Sequence, residues 1–241
     1  MMTTLPRPPR LLADVRTAVT MPRLDVVASR GEPPEDEILR FLRRPHPRYR
    51  IVGSKVVGAA LLRLDEFDDV EGYLGPLRST RKRVRRAARL GYTVGLFDPN
   101  DRRAELLAIH TSLPERQGEP IDPSYLDPGA VYATGPYVEY VGVFRDDALV
   151  AYSELRYAGE IVGMNRVMGH GDHLADSVMF LLMAGIVGHV KEAHAETRYV
   201  FYDMFFGAGD GLREFKTRVG FRPYYVHWKR APKHPGETAD A

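Results

Sequence analysis

The chain has 241 residues, of which 44% are hydrophobic and 27% charged, and its formal net charge is only +2. Those values suit one large globular domain, or a domain with a short extension, and exclude a generally basic protein. There is no cysteine, which rules out disulfides, thiolate zinc sites and a cysteine nucleophile, and fits a reducing cytoplasm.

Met1 to Arg10 is rich in Pro and Arg and lacks the apolar segment of a signal peptide. Residues 1–34 read as a loose arm with one short strand around Leu24 to Ala28. Pro34 then precedes Glu35, Asp36 and Glu37, acidic first-turn residues that open a helix through Ile38, Leu39, Phe41 and Leu42, ended by Pro45 and Pro47. Tyr49 to Leu64 reads as two short strands around Gly53-Ser54, and Asp65 to Leu74 as a turn and one helical turn. Leu77, Val84, Ala87 and Ala88 recur at helical spacing before a capping Gly91, so this stretch is a helix with a narrow apolar stripe. Tyr92 to Phe97 is a strand, Arg102 to His110 a helix capped by the turn Asp98 to Asp101, and Ser112 to Pro136 a long loop. Three strands follow at hairpin spacing: Val138 to Phe144, Leu149 to Tyr157 and Ile161 to Met168. After a polar loop, Leu174 to Ala193 is a long helix with Val178, Leu181, Leu182, Gly185, Ile186, His189 and Val190 on its buried side. Tyr199 to Met204 is a strand, Gly209 to Val219 a helix, and Arg222 to Lys229 the last strand. The apolar run Val178 to Val190 contains Gly185, Gly188 and His189 and is too short to cross a bilayer, so no membrane association is expected.

The result is an α+β chain with a mixed central sheet flanked by helices. Residues 1–77 are expected to form an N-terminal extension, 78–232 the main domain and 233–241 a disordered tail.

Charge is concentrated in one place. Arg78, Arg81, Lys82, Arg83, Arg85, Arg86 and Arg89 occupy twelve residues that contain no acid. Setting those seven aside from the 34 basic residues leaves 27 against 32 acidic ones. One concentrated cationic helix implies one anionic partner surface. Like charges at i,i+4 repel, so such a run is costly unless an anion covers it.

The sharpest motif is Phe215-Lys216 followed by Gly220-Phe221 at the last helix-to-strand junction. Together with the strand order from Tyr92 onward, it resembles the GNAT acyltransferase superfamily over roughly residues 79–231. Many CoA-dependent members of that superfamily carry Phe-Tyr where this chain has Phe215-Lys216. The Phe-Lys pair is similar to that of the Fem-like, aminoacyl-tRNA-dependent branch, as is Thr80-Arg81-Lys82 followed by spaced bases and Gly91-Tyr92. The resemblance implies an acyltransferase whose donor is an aminoacyl-tRNA. Lys216 would stabilise the oxyanion, Phe215 would lie against substrate, and the bases Arg78, Arg81, Lys82, Arg83, Arg85, Arg86 and Arg89 would hold tRNA. With room for one such domain, it also implies a small-molecule or peptide-like amine acceptor, as in natural-product biosynthesis. No further cofactor is expected. The Gly-rich loop with which CoA-dependent members cradle pyrophosphate has no counterpart in His170 to Met179, where Asp172 and Asp176 stand. An acyl-CoA-dependent N-acetyltransferase and a non-catalytic RNA-binding protein remain the alternatives.

Other side chains are candidates by type and position. Asp203 is a candidate general base and Tyr202 a candidate proton donor at the end of a core strand. His170 could act at the splayed strands, with His173 beside it and Asp172 to orient an imidazole. Glu154 and Asn165 lie on central strands, and Arg116 and Gln117 lie in a loop suited to an acceptor-binding lid. Two histidines and one carboxylate in His170 to His173 lack a further ligand, so no metal is expected. Lys216 itself has a bland alternative, a solvent-facing lysine near a helix C-terminus. Trp228 reads as core.

Overall fold

A computed structural model describes residues 17, 20–31, 33–45, 53, 55–116, 119–206 and 208–232. Eight strands form one mixed sheet: β1 (Arg23–Ser29), β2 (Val57–Arg63), β3 (Thr93–Leu96), β6 (Val138–Arg145), β7 (Ala148–Ala158), β8 (Ile161–Gly169), β9 (Tyr199–Met204) and β10 (Arg222–Arg230). The remaining two, β4 (Glu115–Arg116) and β5 (Glu119–Pro120), make a separate small hairpin. In space the large sheet runs β1-β10-β2-β9-β8-β7-β6-β3. Among the described strands, only β1/β10 and β8/β9 pair in parallel. The central strand β7 is buried along nearly its whole length, which explains its run of apolar residues on both faces.

Helices cover both faces. On one lie α2 (Val70–Leu74), α3 (Arg78–Arg89) and α5 (Val178–Ala193), packed on a core that includes Leu62, Val143, Leu155, Ile186 and Phe221. On the other, α1 (Pro33–Arg43) packs on β1, β10 and β7, and α4 (Arg103–Thr111) on β7 and β8. The last helix, α6 (Asp210–Arg218), leads into β10. Trp228 is core, and its indole N–H donates to Lys55 O at 2.7 Å.

The strand expected around Leu24 to Ala28 is β1, and the helix expected after Pro34 is α1. Of the two strands expected in Tyr49 to Leu64, the second is β2, while 46–52 and 54 lie outside the described residues, as do 1–16 and 233–241. The boundary expected between 77 and 78 does not divide the architecture. β2, from the stretch expected to be an extension, is inserted between β9 and β10, antiparallel to both. The long helix starts at Val178 rather than Leu174, because Gly171–Asp176 forms a 3-10 helix first.

The N-terminal elements are fastened to the β7–β8 turn. Val27 N–H donates to the Glu160 carboxylate at 2.9 Å, and Glu160 N–H donates back to Val27 O at 2.7 Å. Glu35, buried on α1, accepts from Gly159 N–H at 2.8 Å and from the Arg30 N–H. Gly159 sits at φ +55°, and a β-carbon there would stand 2.3 Å from Val27 O. Neither left-handed backbone nor a carbonyl contact yields easily. Gly159→Ala is therefore expected to lower the unfolding free energy by about 2–3 kcal/mol, read as a shift of the urea midpoint with unchanged slope.

Candidate active site

β8 and β9 are hydrogen-bonded partners only over Ile161–Gly163 and Tyr199–Phe201. Beyond that the two strands part: β8 stays with β7, while β9 runs along β2 to Met204. Two non-glycine residues flank the gap in left-handed conformation, Arg166 at φ +47° and Asp203 at φ +49°. Arg166 lies where the β7–β8 register shifts, a bulge that re-aims its side chain.

Two cavities of about 620 and 610 Å³ open along this gap and share Phe41, Tyr125, Asn165, Arg166 and Phe201, so they form one groove. Lys216, Asp203 and Tyr202 line one end, and Glu154 and Arg156 the other. Asn165 faces both.

Lys216 is 1% exposed, which removes the solvent-facing alternative. The turn after it explains its placement. Gly220, at φ +90°, ends α6, and Phe221 N–H donates to Lys216 O at 2.9 Å while the Phe221 ring enters the core. Lys216 Nζ donates to Met204 O at 2.8 Å and stands 4.6 Å from the centre of the Tyr202 ring. Burial, with help from the Lys55 charge and against the pull of Asp203, brings its ammonium down to about 8. Burial also pushes the Tyr202 phenol well above its ordinary value, and the Asp203 charge adds to this. Asp203 is paired with Lys55, so its carboxylate is already engaged.

Glu154, 3% exposed, accepts from Arg156 and lies 3.2 Å from Arg166 Nε. The Arg166 guanidinium lies 5.2 Å from the Tyr125 ring centre and 5.4 Å from that of Tyr132. Arg166 and Lys55 escaped the sequence reading. Neither carries a motif, and only the bulge and the meeting of distant segments bring them to the groove.

Four expected site residues are used elsewhere. Arg116 is not an acceptor ligand in the groove: its guanidinium donates to Gly169 O at 3.0 Å, to Ser112 Oγ at 3.2 Å and to Ile109 O, tying the end of α4 to the end of β8. Phe215 packs edge-on against Phe180 at 5.2 Å. His170 caps the 3-10 helix after β8, and His173 Nδ1 meets the Tyr92 hydroxyl at 2.7 Å, so neither lines the groove. Burial, assisted by the charges of His170 and Arg145, lowers the His173 imidazole. Gln117 lies outside the described residues.

The basic helix α3 spans Arg78–Arg89, as expected. Among the described residues, Arg86 alone of its seven bases has a carboxylate partner, Asp176 at 3.4 Å. Arg78, Lys82, Arg85, Arg86 and Arg89 are exposed. The helix touches α6 directly at one point and a second time through Phe180 of α5. Thr80 Oγ1 donates to Arg218 O at 2.6 Å, and the Arg83 guanidinium lies 4.9 Å from the centre of the Phe180 ring that packs on Phe215.

No protein-family model matches the sequence, and no curated protein matches it. Solved structures do. FemX aligns with a TM-score of 0.51 at 13% identity, covering 72% of this chain and 61% of that one. The chain shares the fold of FemX. The C-terminal domain of a provisionally assigned lysylphosphatidylglycerol synthetase from Agrobacterium fabrum aligns at 0.47 and 19% identity, covering 69% and 57%. A tandem GNAT protein from the clavulanic acid biosynthesis pathway aligns at 0.45 and 16%, covering 69% and 50%. The chain thus spans between half and about three-fifths of the length of these structures. At such identities the likeness is one of fold. No helix among the described residues is long and apolar enough to cross a membrane.

The Lys216 environment sets a pH test. If the ammonium is the working form, turnover holds below about pH 8 and falls roughly tenfold per unit above it, as the group loses its proton. A rate profile flat from pH 7 to 10 would remove Lys216 from the chemistry.

Proposed function

We propose that the protein is an acyltransferase that moves an aminoacyl group from a charged tRNA to the amine of a small or peptide-like acceptor. In this reading the acceptor amine, lying in the groove, attacks the ester carbonyl at the tRNA 3′ end. The C–N bond forms, the bond from carbonyl carbon to ribose oxygen breaks, and the amine's proton ends on that ribose oxygen. The Lys216 ammonium faces the carbonyl oxygen as it gains charge. Buried and already held by Met204 O, it needs little reorganisation to do so.

The observation that carries the donor assignment is the coupling of α3 to α6. A helix with seven bases, one of them with a carboxylate partner among the described residues, is hydrogen-bonded through Thr80 to the helix that carries Lys216, and its Arg83 stacks on Phe180 of α5, which packs on Phe215. A CoA molecule needs two or three cations, whereas a polyanion that spans several turns can use them all. The groove offers Arg166, Arg156, Arg44 and Lys55 against Glu154, Glu37 and Asp203, which suits an acceptor with an anionic or strongly polar group beside its amine. Asp203 is engaged by Lys55, so in this reading it steadies charge.

The test is accelerated deacylation of a radiolabelled aminoacyl-tRNA pool in the presence of candidate amines. Lys216→Met, which keeps the buried volume, is expected to bind tRNA normally and to lose roughly 100-fold in turnover. Replacing Arg78, Lys82 and Arg85 by Ala is expected to weaken tRNA binding at every sequence and to flatten its salt dependence by about 0.9 log units per lost phosphate contact. Tight CoA binding without tRNA binding would overturn the donor assignment. tRNA binding with turnover indifferent to Lys216→Met would leave an RNA-binding protein without this chemistry.

A further inference from the structure

At the far end of α5 from the parted strands, three side chains that the site above does not use converge on one point. Glu139 stands near the start of β6, His189 in the last turns of α5, and His194 directly after that helix. One nitrogen of each imidazole and a carboxylate oxygen lie within 4.8 Å of one another. His189 Nε2 is 2.6 Å from Glu139 Oε2, and His194 Nε2 is 3.2 Å from the same oxygen. All three are half-buried, with 26% of the Glu139 side chain and 19% of each imidazole exposed.

We infer that Glu139, His189 and His194 form a binding site for one late first-row divalent cation, with Zn²⁺ as its natural probe. Two imidazole nitrogens and one carboxylate suit zinc and disfavour magnesium and calcium, which want oxygen throughout. Zinc bonds of about 2.0–2.1 Å place tetrahedral ligand atoms about 3.3 Å apart. The His194-to-Glu139 separation of 3.2 Å is near that spacing, whereas the His189-to-Glu139 hydrogen bond of 2.6 Å must open by about 0.7 Å to admit the ion, a change within reach of side-chain rotation. The partial exposure leaves a fourth position for water.

The surroundings are those of a supported ligand set. The Tyr157 hydroxyl donates to Glu139 Oε2 at 2.6 Å, and the Tyr157 ring stacks on His194 with centres 4.0 Å apart. His194 Nδ1 lies 3.9 Å from the half-exposed Glu196 carboxylate, which adds negative charge beside the pair of imidazoles. A bound ion would clip the C-terminal end of α5 to β6 and β7.

The experiment uses untagged, metal-stripped full-length protein titrated with Zn²⁺ by calorimetry, with Mg²⁺ as control. One Zn²⁺ per chain at micromolar affinity or tighter is expected, with no heat from Mg²⁺. Co²⁺ should give the visible absorption of a low-coordinate site, abolished by Zn²⁺. Glu139→Gln and His194→Asn should each weaken binding about tenfold or more, and Tyr157→Phe severalfold, with far-UV circular dichroism unchanged. The double variant His170→Asn, His173→Asn should bind as wild type. No saturable binding by the folded wild-type protein would overturn the assignment. So would unchanged affinity in a folded His194→Asn, or loss of the site in the His170, His173 double variant. If Glu139→Gln fails to fold, the Co²⁺ spectrum of wild type against His194→Asn decides.

Discussion

Two parallel neighbours that stop being neighbours create the working space of this molecule. β8 and β9 share three residues of ladder and then separate, β8 held by β7 and β9 by β2. Backbone groups released from a ladder inside a protein must find other partners. Met204 O finds one in the Lys216 ammonium, which is thereby drawn into the gap and deprived of water. The lowered ammonium and the left-handed Arg166 and Asp203 all belong to the same break in pairing. A regular sheet would have had neither the groove nor a place for a buried cation.

The same break links two faces that would otherwise be independent. α3 lies on one side of the sheet with α5, while the groove is lined from the other side by α1 and the loop carrying Tyr125. α6 joins them. Its Phe215 packs on Phe180 beneath Arg83, and its next residue, Lys216, enters the gap. Adjacent helix positions are about 100° apart around the axis, so one residue can pack in the core and its neighbour can serve the cleft. Phe215 thus packs in the core, away from the groove, while Lys216 lines it.

β2 holds the arrangement from the N-terminal side. Inserted between β9 and β10, it carries β9 away from β8, and β1 and α1 are fastened to the β7–β8 turn through Glu35, Gly159 and Glu160. β1, α1 and β2 are therefore part of the groove's frame, with Phe41 and Lys55 among its walls.

Much of this was legible in the chain itself. Hydrophobic period and capping chemistry are local, and they gave the basic helix its ends at Arg78 and Arg89, the three-strand meander and the Gly220 turn, because each depends on residues a few positions apart. Lys216 was singled out differently, by the resemblance of Phe215-Lys216 and Gly220-Phe221 to a family motif, and its burial in the groove was not legible from the sequence. What local pattern could not decide is which distant groups meet. Arg116 looked like a ligand and proved to be a strut. His170 and His173 sat beside each other in sequence yet away from the groove. Arg166, Lys55 and the Glu139-His189-His194 group have no mutual spacing that marks them. Their meeting depends on strand order and on where one ladder ends. Those follow from side chains packed across the whole sheet, so tertiary structure alone decided them.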